Sequence, residues 1–435
     1  MTEMPTAISS PTPAAITPVR GHIDYDVLVL EAGNRQSLAS VRSFGRAGLR
    51  VALGESFAEC SRDLPVLAFT SKYSARNEVL PNYAIDGTAF AAAVVDFVRT
   101  HPTKVVLPTT DGAIAAIVPQ RGLLAELGCA LALAPDQILE VANDKDRTLA
   151  VARELGIDFP QTMRIDGVAD VPALAAQLTF PVVLKPTSSW VSRSPVRLQA
   201  VEVINEAEAA RAVDAYVSAG ATVLAQPWIG GRREGLTMFV VDGDVRACCA
   251  HVVHRASPAL GGASVLRETV AMPADIYEKS VRLVKAIGME GLCEVEYRRD
   301  HAGRPMLMEI NARIVGNIEN AVRSGIDFPL MIWRWATGQQ IDPVDGYRTG
   351  VRTRWLRGDM RWLRDNFRRA GRPDSVSRTR ALWMFGSEFA RTRHYDCLDG
   401  RDIRPFLAEL RTAAVAVRNS RKPIPTVSDG DREGA

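Results

Sequence analysis

Residues 305–313 read PMLMEINAR, apolar at 306, 308, 310 and 312 but polar at 309, 311 and 313. Side chains alternate across a strand, so Leu307, Glu309, Asn311 and Arg313 share one face, and Met306, Met308 and Ile310 point to the core. The segment before it, GLCEVEYRRD, sets Glu294, Glu296 and Arg298 on one face of a neighbouring strand. If the intervening DHAGR is a hairpin turn centred on Ala302-Gly303, Glu296 falls opposite Glu309. Opposed carboxylates repel and weaken a strand pair unless a cation lies between them. Two carboxylates and an amide oxygen are hard donors of the kind Mg²⁺ takes alongside water and phosphate oxygens. Arg313 next door offers positive charge to an anionic reacting centre. A solvated sheet face with incidental ion pairs would carry the same pattern.

Two lysines bear on the choice. Lys185 ends the apolar run VVLKP, a place from which an ammonium can reach a bound phosphate. Lys145, in NDKDR, opens a helix, where the dipole and free N–H groups favour anions. Either lysine alone reads as a surface residue. Lys145, Lys185, a hinge-like AQPWI and the paired-acid strand, in that order, are harder to dismiss together.

The elements that must position these residues alternate. DVLVLEAG is a short buried strand, RQSLASVRSFGRAG a helix stopped by Gly48, and LRVALGES a second strand. GTAFAAAVVDFVRTH, KVVLPTTD, GAIAAIVPQRGLLAELG and CALALAP continue as helix, strand, helix and strand. Such alternation implies a parallel sheet covered on both faces. The first turn, EAGNRQSLAS, has one glycine where a dinucleotide-binding G-x-G-x-x-G has three, which argues against NAD there. From FPVVLKP onward the pattern turns α+β. Asp242-Gly243 makes a hairpin between two apolar strands, and beyond Gly338 the chain becomes Arg- and Trp-rich and helical.

The 435 residues exceed one ordinary core, and 47% hydrophobic with 24% charged residues is a soluble globular composition. The net charge of +3 conceals a gradient, because residues 347–424 hold 19 Lys plus Arg against 8 Asp plus Glu. A basic surface of that kind is solvated or meets nucleic acid or an anionic membrane. The six cysteines form no C-x-x-C pair, so reduced thiols are expected and neither a disulfide framework nor a cysteine metal site. The Pro/Ala/Ser/Thr-rich start lacks the form of a signal peptide and reads as a disordered leader. No stretch approaches the roughly 18 apolar residues of a membrane span. These features suggest a cytoplasmic protein.

NDK before a helix, VVLKP, and VEY…MEINAR together resemble the ATP-grasp superfamily of carboxylate–amine ligases, near the carbamoyl-phosphate synthase large chain and D-aspartate ligase-like proteins. The resemblance covers roughly residues 26–340. YDCLDGRDIRPFLAEL also resembles the C-terminal end of that branch. The implied fold is α/β and α+β, with a Rossmann-like pre-ATP-grasp domain at 25–135. An ATP-grasp domain follows at 136–340, its small lid at about 158–225, between a leader at 1–24 and a basic helical region at 341–422. A loose tail at 423–435 ends the chain.

The resemblance implies that Lys145 and Lys185 contact ATP phosphates. Gln226, Pro227, Trp228 and Ile229 would form the adenine hinge, and Glu234 would meet the ribose. Glu296, Glu309 and Asn311 would hold two Mg²⁺, with Mn²⁺ as an alternative. Arg313 would stabilise the reacting centre, and Arg267, with His254 and Arg255, would orient an acceptor or the transferred phosphoryl group. The implied partners are small carboxylates and amines, with no nucleic acid, and the resemblance leaves room for a homodimer. One departure stands out: the family's Gly-rich loop is here TSSWVSRSPV, where Ser188, Ser189, Ser192 or Arg193 would have to cover the phosphates. Kinase-type phosphotransfer and nucleotide binding without turnover are the alternatives.

Overall fold

The computed structural model describes residues 22–56, 65–188, 190, 198–258, 262–368 and 371–420. The leader through residue 21, the tail from 423, Cys60, Ser189, Ser192 and Arg193 lie outside them. Among the described residues the strands form three sheets, and no helix is long and apolar enough to cross a membrane.

The first sheet contains β1 (Val27–Val29), β2 (Val51–Ser56), β3 (Ser74–Leu80), β4 (Val105–Leu107) and β5 (Ala130–Leu131). Its order is β3-β2-β1-β4-β5, with every pairing parallel. Val27 and Val29 pack with Leu38, Val41 and Phe44 of the helix Arg35–Arg46. Leu28 packs on the opposite side with Phe90 and Val94 of the helix Gly87–Thr100. Burial on both faces is why this strand is a continuous apolar run rather than an alternating one.

The second sheet is antiparallel: β6 (Met163–Ile165), β7 (Val182–Pro186), β8 (Val201–Val203) and β9 (Val223–Pro227), in the order β6-β9-β7-β8. Val182 and Leu184 bury against Leu174, Val213 and Tyr216 of the covering helices. Val183 and Lys185, one residue out of phase, face a cleft instead.

The third sheet holds β10 (Arg233–Val241), β11 (Asp244–Ser257), β12 (Ala263–Thr269), β13 (Gly291–Arg299), β14 (Pro305–Asn311), β15 (Arg352–Arg354) and β16 (His394–Tyr395). Its order is β14-β13-β10-β11-β12-β15-β16. Asp242 and Gly243, with φ of 54° and 74°, make the tight β10–β11 turn that sequence suggested. The C-terminal region is not wholly helical, because β15 and β16 extend this sheet from within it. Its arginines are not simply a solvated surface either, since Arg354 is fully buried.

Glu296 pairs with Glu309 and Glu294 with Asn311, as the hairpin reading requires, but by a different route. The turn runs from Asp300 to Arg304, with Arg299 opposite Pro305 and Tyr297 opposite Leu307. Met308 is an extra residue in a bulge, which restores the Glu296–Glu309 register. Core assignments shift accordingly: Leu307 and Ile310 are buried, whereas Met308 joins Glu309 on the cleft side and Met306 is only half-buried.

Candidate active site

The three sheets surround a cleft of about 950 Å³, large enough for a nucleotide and a small second ligand. Lys145, Lys185, Gln226, Pro227, Trp228, Ile229, Glu296, Glu309, Asn311 and Arg313 all line it.

Local structure explains how two lysines distant in sequence reach one wall. Asp144 caps the helix Lys145–Glu154 by accepting from the Arg147 N–H, which leaves Lys145 at the first helical position. The Lys145 N–H donates to Thr187 O at 3.1 Å, tying that helix start to the loop leaving β7. Lys145 Nζ then lies 3.2 Å from Glu309 Oε2, and Lys185 Nζ donates to Met308 O at 3.4 Å. Burial, reinforced by neighbouring Lys145, lowers the Lys185 pKa to about 8. Burial works against ionised Glu309, yet Lys145 and Lys185 hold its pKa at about 2.

The other acids have their own partners. Arg233 grips Glu296 with two hydrogen bonds of 3.0 Å and donates to Gly262 O at 2.8 Å. Glu294 accepts from Asn317 Nδ2 at 2.5 Å and lies 3.3 Å from His251 Nε2. Burial and the nearby Glu296 push the Glu294 pKa well up, while burial keeps His251 neutral, its pKa lowered to about 3. Gly235 makes room for that imidazole: a Cβ there would come within 2.5 Å of His251 Cε1. Asn311 Nδ2 sits 3.5 Å from Glu296 Oε1 and 3.4 Å from Glu309 Oε1, bridging the two acids. Arg313 Nη2 donates to Asn311 Oδ1 at 3.2 Å and to Asp111 Oδ2 at 3.1 Å. Asp111 opens the helix Asp111–Ile117 of the first sheet's domain, so that domain aims Arg313.

The oxygens of Glu296 and Glu309 suit a hard divalent cation, and Asn311 would add its Oδ1 once its amide turned that oxygen, rather than Nδ2, toward the acids. Among the described residues no group of three His, Cys, Asp or Glu side chains could hold a metal. An ion here would therefore need phosphate oxygens and water to complete its shell.

In the segment expected to be the hinge, Gln226 Nε2 donates to Thr162 Oγ1 at 2.7 Å, while its buried Oε1 has no partner among the described residues. Arg298 donates to Ile229 O at 2.8 Å and lies over the Trp228 ring, 5.0 Å from its centroid.

Two expected site residues do not reach the cleft. Glu234 alternates with Arg233 along β10, so Arg233 faces the cleft and Glu234 is buried beneath it, paired with Arg232 and Arg299. Arg267 is fully buried and paired with Asp396. Its neighbours differ from expectation too: Arg255 is held by Asp359 and His254 by Glu268. Sequence reasoning also missed Arg233, His251, Asn317 and Asp111 as parts of the site. Asp111 had a signal, being an acid just past the carboxyl end of a parallel strand, where open α/β sheets place their ligands.

Residues 241–358 match the model of a family described as ATP-grasp in the biosynthetic pathway with Ter operon. The chain is 25% identical over 209 residues to D-alanine–D-alanine ligase of Ectopseudomonas mendocina, covering 44% of this chain and 64% of that protein. It is 25% identical over 226 residues to the carbamoyl phosphate synthase large chain of Gemmatimonas aurantiaca, covering 49% of this chain and 20% of that one. These matches span less than two thirds of either relative. By fold it is similar to the L-amino acid ligase of Bacillus licheniformis, with a TM-score of 0.56, 18% identity and coverage of 74% and 79% of the two chains. It is also similar to the biotin carboxylase of Campylobacter jejuni, with a TM-score of 0.59, 17% identity and coverage of 75% and 74%.

Proposed function

We propose that this chain, which resembles an ATP-grasp family over residues 241–358 and ATP-dependent ligases in its fold, is an ATP- and Mg²⁺-dependent ligase joining a carboxylate to an amine. The observation that carries this reading is the paired register of Glu296 and Glu309 on the same cleft wall as Lys145 and Lys185. Glu296, Glu309 and Asn311 would hold Mg²⁺, one ion or two, which would neutralise phosphate charge. The lysines would hold the triphosphate, and Gln226 Oε1, without a partner among the described residues, would accept from the adenine amino group.

A substrate carboxylate oxygen attacks the γ-phosphorus and ADP leaves, forming an acyl phosphate. The amine nitrogen then attacks the carbonyl carbon, phosphate departs with the bonding pair, and the nitrogen sheds a proton. Arg313, fixed by Asp111 and Asn311, meets the negative charge that develops on the carbonyl oxygen.

The test is a matrix of acids and amines screened with the full-length protein for ADP release. The expected result is release that needs both partners, with a product whose mass is acid plus amine minus water. ADP release without an amine, with a stable phosphorylated product, would instead indicate a kinase.

A further inference from the structure

Past the paired acids the cleft runs along the helix Leu356–Arg368, where Arg357, Met360, Arg361, Arg364 and Asp365 line it beside Trp355. Their spacing of three and four residues makes them one face. The opposite stripe, Gly358, Asp359, Trp362 and Asn366, is buried. Asp359 fixes the helix, accepting 2.7 Å hydrogen bonds from Arg255 Nη2 and Arg354 Nε. Asn366 adds a second tie by exchanging hydrogen bonds with the Val376 main chain. The arginine face is thus set against the cleft by buried structure.

Elsewhere in the cleft most cations have carboxylate partners: Lys145 has Glu309, Arg233 has Glu296, Arg313 has Asp111 and Arg35 has Asp396, while Lys185 donates to Met308 O. On this helix Arg364 reaches Asp365 at 3.3 Å. Arg361 instead lies 5.6 Å from the centroid of the Trp355 ring. Neither Arg357 nor Arg361 has a carboxylate within ion-pair distance among the described residues. Partial desolvation in the cleft and repulsion from Arg357 and Arg364 lower the Arg361 pKa, a cost that a bound anion relieves. Guanidinium forks match carboxylate and phosphate geometry, and the Trp355 ring and Met360 side chain add apolar surface for an organic body. The triphosphate already has Lys145 and Lys185.

We propose that Arg357 and Arg361 bind the anionic end of the substrate: a small organic acid carrying a second carboxylate or a phosphate remote from the reacting carboxylate. This rests on the ligase reading, which places a carboxylate substrate in the same cleft.

Calorimetric titration of the full chain with succinate, 2-phosphoglycolate and butyrate tests it, on wild type and on the double variant Arg357→Gln/Arg361→Gln. Both side chains reach solvent, so the variant should keep its fold and its ATP affinity. The expected result is a dianion bound at least about tenfold more tightly than butyrate, with that preference lost in the double variant. Whether succinate or 2-phosphoglycolate binds better identifies the terminal group. Equal affinity for all three probes, or a dianion preference unchanged in the double variant, overturns the proposal. So does salt-sensitive oligonucleotide binding that the double variant loses, if the dianion preference is absent. A parallel ATP titration separates the two readings, since failure to bind ATP with the dianion preference intact counts against the ligase alone.

Discussion

Lys185 carries an electrostatic conflict at the cleft wall. Its folded pKa of about 8 lies below the ordinary value of 10.5 because of burial and Lys145. Below pH 8 the ammonium is charged in both folded and unfolded chains, and its burial cost is fully present. Between pH 8 and 10.5 the unfolded chain keeps a proton that the folded chain has lost, so this residue's contribution to stability rises with pH. Phosphate binding follows the opposite trend, since it needs the charge. ATP affinity should hold steady up to about pH 7.5 and then weaken by up to about tenfold per pH unit, the limit for one proton. Lys185→Arg should remove that loss in a binding titration from pH 6.5 to 9.5, and an identical slope in the variant would exclude Lys185 as its source. At this scale much of the cleft lining was legible: Glu309, Asn311 and Arg313 stand out because strand periodicity puts charge on one face of an apolar segment. Glu234 and Arg267 were misplaced because the face of β10 or β12 that meets a cleft depends on partner strands far away in sequence.

Among elements, the helix Leu356–Arg368 and the β13–β14 hairpin show how packing sets chemistry. The hairpin was readable in outline, since DHAGR announces a turn and alternation pairs the acids. The Met308 bulge was not, because two turn lengths give the same Glu296–Glu309 pair and only packing of Leu307 into the core decides between them. The helix was legible as amphipathic, but its anchor was not: Asp359 meets Arg255 from a strand about a hundred residues earlier. Asp359→Ala would leave Arg255 and Arg354 buried without their carboxylate. It should cost about 3–5 kcal/mol in denaturant unfolding. If the variant folds, it should also lose the dianion preference, because the arginine face would no longer be held. Stability within about 0.5 kcal/mol of wild type would contradict the anchoring role.

Across the whole molecule the site exists only because distant segments converge. The first sheet's domain supplies Asp111, the second sheet Lys185 and Gln226, and the third the paired acids. The YDCLDGRD segment, whose resemblance came without chemistry, proves to be a staple. Asp396 pairs with Arg35 and Arg267, and Asp402 with fully buried Arg42, which also donates to the Asp396, Cys397 and Asp402 carbonyls. The Arg35 and Arg42 pairs join residues more than three hundred positions apart, beyond the reach of periodicity or spacing. The central claim is that these parts form one Mg²⁺–ATP site. Its most direct test is ATP binding measured calorimetrically with Mg²⁺ and with chelator, for wild type and for Glu309→Gln. Mg²⁺ should tighten ATP binding in the wild type, and Glu309→Gln should largely remove the gain while its thermal unfolding stays cooperative. An equal Mg²⁺ effect in both proteins would contradict the central claim.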